Sequence, residues 1–199
     1  MIKDIISSKD FETLTHLKIA AITGPMAAGK NYVSSLLEKE GFVSIDADIV
    51  VHDSIKLATN DILAAFSSVA KDMGINLLNE DKSLNRRELG KIVFSDRALL
   101  KKQEDIVYPY VNTIINQFIE DNKDKKILIN ATVLYKTPQL LNRCQAIIYV
   151  TAPFFTRLKR ANKRDNMDVS LILKRFHNQR DLYKKYKETG INIIKIVNK

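Results

Sequence analysis

The chain predicts an α/β fold, a doubly wound five-stranded parallel sheet that carries an all-helical insertion and a basic helix. Three features of the 199-residue sequence support this expectation. Short apolar runs, too brief for helices, alternate with amphipathic helical stretches, as strand–helix–strand units do. One such run leads straight into a glycine-bounded loop and then a helix. The stretch from Ile49 to Lys126 contains no convincing strand, so helices must fill it.

The glycine-bounded loop organises the rest. Leu17, Ile19, Ala20, Ala21 and Ile22 form an apolar run that reads as a strand buried on both faces. Gly24 to Lys30 then fits G-x-x-x-x-G-K, and Tyr32 to Glu40 fits an amphipathic helix. Strand, tight loop and helix start together are the setting that a phosphate-binding loop needs. Main-chain N–H groups in such a loop point at phosphate oxygens, aided by the positive end of the helix. Lys30 reaches the outer phosphates as a compact point charge. The candidate nucleotide-binding residues are therefore Gly24, Ala27, Ala28, Gly29, Lys30, Asn31 and Tyr32. One position departs from the motif. A Ser or Thr hydroxyl normally follows the lysine and ligates magnesium. Here the residue is Asn31, whose amide oxygen is also a ligand for a hard cation.

Taken in order, residues 1–16 read as a short peripheral helix or arm. Val33, Leu36 and Leu37 form the buried stripe of the first core helix, and Gly41 is placed to cap it. Phe42–Ile45 is a second strand that ends in Asp46-Ala47-Asp48. On an extended chain these two carboxylates face the same side, at the strand end where open α/β sheets bind ligands. In the insertion, Ile62, Leu63, Phe66 and Val69 recur at helical spacing, and Arg86–Phe94 is a second helical piece. Ser95 or Asp96 caps a third, and Pro109 is expected to break it and open a fourth. Ile127–Ala131 and Ala146–Val150 are further strands. Pro153 opens a basic helix, Ser170 is placed to cap the next, and Asn192–Val197 is the last strand.

Composition narrows the function classes. A chain of this length buries roughly 70% of its unfolded surface and needs no staples. The lone cysteine, Cys144, excludes an internal disulfide and suits a reducing, cytoplasmic compartment. Charges at the N-terminus argue against a signal peptide, and no apolar run approaches the roughly 20 residues of a membrane span. The net charge is +9. Between Pro153 and Lys187 there are eleven Lys/Arg and three Asp/Glu, and such an excess suggests a polyanionic partner, either a nucleotide or a nucleic acid. Within this segment Arg157, Arg160 and Arg164 share one helix face. A phosphate loop, an acidic pair and an arginine face are the parts of phosphoryl transfer, with Asp48 or Asp46 available to accept the hydrogen bond of an attacking hydroxyl.

Several blocks in order and spacing resemble the dephospho-coenzyme A kinase family over residues 17 to 198. They are ITGPMAAGK (22–30), IDAD (45–48), LNRRELGKIVFSD (84–96), YP (108–109), RLKRANKRD (157–165), and Arg175 with Gln179. The resemblance implies a P-loop NTPase-type kinase fold with a nucleotide-binding core (17–50, 127–152 and 171–199), a helical substrate-binding insertion (51–126), a mobile lid (153–170) and an N-terminal arm (1–16). It implies transfer of the ATP γ-phosphoryl group to the 3′-hydroxyl of dephospho-coenzyme A, the last step of coenzyme A synthesis, with Mg²⁺. Asp48 matches the family's catalytic aspartate, Lys30 its loop lysine, and Arg160 and Arg164 its lid arginines. Asp48, Lys30 and Arg160 are the expected catalytic residues, Arg164 an expected nucleotide contact, and Asn31 the expected metal-side residue. Arg157, Arg175 and Gln179 are secondary candidates. The chain departs from the family at Asn31, at Tyr108 where His is usual, at Asn130, and at Thr132–Lys136, where Pro-Leu-Leu-x-Glu is usual. The resemblance implies a small-molecule acceptor and neither a nucleic-acid nor a membrane partner. Oligomeric state is not encoded legibly. The rival readings are another P-loop kinase of a nucleoside or small metabolite, a non-catalytic nucleotide sensor, and a nucleic-acid binder that uses 153–187. The last lacks the stacking aromatics of single-strand binders.

Overall fold

The computed structural model describes residues 2, 5–165 and 167–199. Five strands form one all-parallel sheet: β1 (Ile19–Thr23), β2 (Phe42–Asp46), β3 (Lys126–Asn130), β4 (Ala146–Thr151) and β5 (Ile193–Val197). Their order is β2-β3-β1-β4-β5, which puts the glycine-loop strand in the middle. In register, Ala21 of β1 lies between Ile129 of β3 and Ile147 of β4. Ala20, Ala21, Ile22 and Thr23 are buried, as a strand covered on both faces requires.

The chain forms two compact units. The first comprises residues 1–48 and 116–199, and the second residues 49–115. In the first, helices α1 (Ser8–His16) and α2 (Lys30–Glu38) belong to the core beside the sheet. Leu14 of α1 is buried in the same apolar cluster as Leu37 of α2, Ile22 and Ile148. Residues 1–16 are thus not a loose arm over their described part, since Ile2 and Leu14 help close the core. Ser7 caps α1 by accepting from the Asp10 amide. The 3₁₀ turn Leu134–Lys136 and the helices α7 (Pro138–Leu141), α8 (Phe154–Asp165), α9 (Val169–Asn178) and α10 (Leu182–Lys187) complete this unit. Asp168, not Ser170, caps α9: its carboxylate accepts from the Ser170 amide at 2.8 Å.

The second unit contains α4 (Thr59–Asp72), α5 (Arg86–Val93), most of α3 (Ala47–Leu57) and the first part of α6 (Arg97–Asp121). Ile62, Phe66, Leu89, Ile92 and Val107 are buried within it. Two expectations need correction. Pro109 does not break the helix: α6 runs through it as one element of 25 residues. Proline costs a helix interior about 3 kcal/mol, but Val107, Val111, Ile115 and Ile119, four apart, all bury, and this packing outweighs the cost. Nor do Asp46 and Asp48 share an extended strand. β2 ends at Asp46, and Asp48 lies in the first turn of α3.

The turn out of β1 tolerates no side chain at Gly24. A Cβ there would sit 2.0 Å from the Val150 carbonyl oxygen, on backbone that φ = +153° already disfavours for L residues. Val150 cannot retreat, because it is paired in β4 with Ile196 of β5. Gly24→Ala is expected to cost about 2–3 kcal/mol, read as a lower urea midpoint with an unchanged m-value. A midpoint within error of the parent would refute the close packing.

Candidate active site

The site is built where the sheet's strands end. β2 ends in Asp46 and β3 in Asn130, both polar, and the glycine loop follows β1. Residues 24–29 turn tightly. Ala28 donates its amide to the Pro25 carbonyl at 3.1 Å. Ala27 sits at φ = +60°, where a non-glycine residue is rare. Gly29 is also left-handed at φ = +89°, and a Cβ there would approach Asn198 Nδ2 to 2.1 Å. These departures curl the main chain into a cup, and helix α2 begins at Lys30 with no side-chain cap on its first amides. Uncapped amides at a helix N-terminus are ready for an anion.

Supports from distant segments fix the loop from outside. The Met26 amide donates to Gln179 Oε1 at 2.6 Å, and the Met26 carbonyl accepts from Arg157 Nε at 2.9 Å. Arg157 also lies over the Phe176 ring, 4.1 Å from its centroid. Burial lowers the Arg157 pKa, against a smaller opposing contribution from Tyr149. Asn198 Nδ2 donates to the Ala28 carbonyl at 3.0 Å. Arg157 and Gln179 are therefore braces of the loop. Arg175 is exposed on α9.

Pro25, Ala27, Ala28, Gly29, Lys30, Asn31, Tyr32, Arg160 and Arg164 line one cavity of about 270 Å³. The candidate nucleotide residues, apart from the supporting Gly24, meet in this space. Arg160 donates to the carbonyls of Asn198 (3.4 Å) and Lys199 (3.2 Å), which fixes its guanidinium at the cavity edge. Arg164 is exposed on the next turn of α8. Part of the positive excess in 153–187 is thus used internally, on carbonyl oxygens and an aromatic face.

Lys30 Nζ donates to the Gly24 carbonyl at 3.5 Å and to Thr132 Oγ1 at 2.7 Å. The Thr132 hydroxyl donates in turn to Asp48 Oδ2 at 3.4 Å. Asp46 supports Asp48 from below, its Oδ1 accepting the Asp48 amide at 2.9 Å as a helix cap does. Of the two acids, then, Asp46 holds the turn and Asp48 presents its carboxylate to the Lys30 side. Desolvation raises the Asp48 pKa, the Lys30 ammonium opposes this, and Asp46 adds to it. Asp48 nonetheless keeps solvent access. Desolvation lowers the Lys30 pKa, Asp48 and Asp46 oppose, and Arg164 adds to the lowering. Asn31 Oδ1 accepts from Asn130 Nδ2 at 3.0 Å, so two of the positions that depart from the family pattern pair with each other.

Sequence reasoning missed Thr132, Asn198 and Tyr186 as parts of this framework; the Tyr186 hydroxyl donates to the Thr132 carbonyl at 3.1 Å. Thr132 had a usable signal, a hydroxyl just past the carboxyl end of a central parallel strand. Asn198 and Tyr186 had none, because their partners lie far away in sequence. Cys144 is a packed hydrophobe: burial pushes its thiol up to about 12, far from the range of a nucleophile. Among the described residues, no helix is long and apolar enough to cross a membrane.

The comparisons with known proteins identify the family. A family model described as dephospho-CoA kinase matches residues 18–195. The dephospho-CoA kinase of Treponema denticola is 36% identical over 172 residues, 84% of this chain and 76% of that protein. That of Treponema pallidum is 32% identical, over 83% of this chain and 79% of that protein. Among solved structures, dephospho-CoA kinase from Campylobacter jejuni superposes with a TM-score of 0.65 at 26% identity, covering 92% of this chain and 89% of that one. TT1252 from Thermus thermophilus shares the fold, with a TM-score of 0.76 at 23% identity over 92% of this chain and 90% of that one. A family match over residues 18–195, with relatives 36% and 32% identical over most of the chain, places this protein in the dephospho-CoA kinase family.

Proposed function

We propose that the protein transfers the γ-phosphoryl group of ATP to the ribose 3′-hydroxyl of dephospho-coenzyme A. One observation supports the residue assignment above all: the cup at residues 24–32 and the Asp48 carboxylate are joined through Lys30 and a single hydroxyl. The loop amides and Lys30 hold the β- and γ-phosphates. Asp48 accepts the proton of the 3′-hydroxyl as its oxygen bonds to the γ-phosphorus. The bond to the β–γ bridging oxygen breaks, and ADP leaves with that oxygen. Arg160 and Arg164 stand over the phosphates and stabilise the transferred charge, and closure of the 153–170 lid excludes water. Residues 51–126 supply the surface for the pantetheine and adenosine parts of the acceptor. The enzyme works in the cytoplasm.

The nucleotide is used as its Mg²⁺ complex. The Asn31 amide oxygen fits such an ion: it is a hard donor, solvent-accessible, and its bond from Asn130 leaves a second lone pair. Mg²⁺ keeps most of its shell as water and phosphate oxygens, so one protein oxygen suffices. Held there, Mg²⁺ would supply charge neutralisation to the phosphates of the nucleotide.

The test is a coupled ATPase assay with Mg²⁺, run with and without dephospho-coenzyme A and against a panel of nucleosides and small alcohols. ATP consumption is expected to depend on dephospho-coenzyme A, and that acceptor to exceed the others by orders of magnitude in kcat/KM. A different preferred acceptor would make this a kinase of another metabolite. ATP binding without turnover on any acceptor would overturn the catalytic reading.

A further inference from the structure

The residue that joins the two halves of the site has a more defined part than mere proximity. Thr132 is held by its main chain. Its carbonyl accepts from Thr23 Oγ1 at 3.2 Å and from the Tyr186 hydroxyl at 3.1 Å. The Tyr186 oxygen in turn accepts the Leu134 amide at 2.8 Å, and its ring meets Tyr135 edge-on at 5.4 Å. Tyr186 is fully buried. The segment after β3 is therefore pinned on both sides of Thr132, and its hydroxyl has little freedom of position.

The direction of that hydroxyl's hydrogen bonds follows from its partners. An ammonium has only protons to give, so the Thr132 oxygen must accept from Lys30. Its own proton is then left for Asp48 Oδ2. That proton engages one oxygen of the Asp48 carboxylate.

We propose that Thr132 is a positioning residue for phosphoryl transfer: its hydroxyl, aligned by Lys30, fixes the Asp48 carboxylate so that one oxygen faces the acceptor. This rests on the reading of Asp48 given above. It assigns a role that a proline, usual at this point in related sequences, has no hydroxyl to perform. The hydroxyl and amide of Thr132 both also favour the ionised form of Asp48, against desolvation and the neighbouring Asp46 charge. The charged groups facing Asp48 are Lys30 at the head of α2 and Asp46 at the end of β2.

Thr132→Val keeps the branched shape and removes the hydroxyl. The expected result is a fall in kcat of about tenfold, the scale of one lost hydrogen bond to a charged group. KM for ATP and for dephospho-coenzyme A should stay within about twofold of the parent, and the acid limb of the pH–rate profile should move to higher pH. Thr132→Ser should restore both the rate and the limb. In an Asp48→Asn background, Thr132→Val should cause no further loss of kcat, because the two act through one interaction. Thr132→Ala gives the same readouts if the valine variant does not fold. Parent-like kcat and pH profile in Thr132→Val or Thr132→Ala would overturn the inference. So would a loss confined to KM, failure of Thr132→Ser to restore the rate, or full additivity with Asp48→Asn. If instead Asp48→Asn alone leaves turnover intact, the reading of Asp48 fails, which is a separate result.

Discussion

Asp48→Asn is expected to reduce kcat by about 10²- to 10⁴-fold, the usual contribution of a positioned general base. The substitution is isosteric. It preserves an oxygen that can accept from Thr132 and leaves the main-chain amide to the Asp46 cap. What it removes is the capacity to take a proton. KM for ATP should change little, because the nucleotide is held by the loop on the other side of Lys30. A turnover within a few-fold of the parent would show that Asp48 does not serve as the base. The pH dependence has a defined sign. The Asp48 carboxyl must be ionised to accept a proton, and its pKa is raised, chiefly by desolvation. Activity should therefore fall as pH drops through this elevated pKa, at a higher pH than an ordinary aspartate would give. The limb should be absent from the residual activity of Asp48→Asn. A parent limb at the usual carboxylate range would contradict the raised value.

Lys30→Met should lower kcat/KM by about 10³-fold, the scale of losing one preorganised charge at a developing anion. The side chain is already aimed and partly stripped of water. Its nitrogen lies 2.7 Å from Thr132 Oγ1 and 3.5 Å from the Gly24 carbonyl, and desolvation is what lowers its pKa. A cation held this way reorganises little when phosphate arrives. Lys30→Arg should recover only a small part of the loss, although it restores charge. A planar five-donor fork does not fit a space sized for one ammonium between a carbonyl and a hydroxyl. Steady-state kinetics with ATP and dephospho-coenzyme A decide the matter. Parent-like kcat/KM in Lys30→Met, or full recovery in Lys30→Arg, would remove Lys30 from the proposed mechanism.

These effects depend on contacts of very different sequence range. The strands were legible because a short apolar run between a polar segment and a turn leaves few other choices: all five sit within two residues of their expected bounds. The glycine loop was legible because its requirements are local, as the left-handed backbone at Gly29 shows. Errors arose where packing outweighed a local preference. Pro109 reads as a breaker, yet buried residues on both sides carry α6 through it. Asp46 and Asp48 read as a pair on one strand face, but the backbone turns into α3 between them and gives them unlike tasks.

Arg157 illustrates the same limit in the site. Its spacing puts it on one helix face with Arg160 and Arg164, and spacing alone assigns it to phosphate. Across 131 residues of sequence it donates to the Met26 carbonyl instead, and Phe176 covers its guanidinium.

The sequence by itself determined the sheet and the tight glycine loop, because each follows from periodicity or backbone sterics within a few residues, and it left Asp46 and Asp48 as alternatives between which only the family resemblance chose. Only the tertiary structure decided which arginines brace and which face the cavity, that the amides of Asn31 and Asn130 pair, and that Thr132 stands between Lys30 and Asp48. Those outcomes depend on hydrogen-bond partners about 80 to 130 residues apart. A donor's choice among distant acceptors is settled by the folded geometry and leaves no periodic trace along the chain.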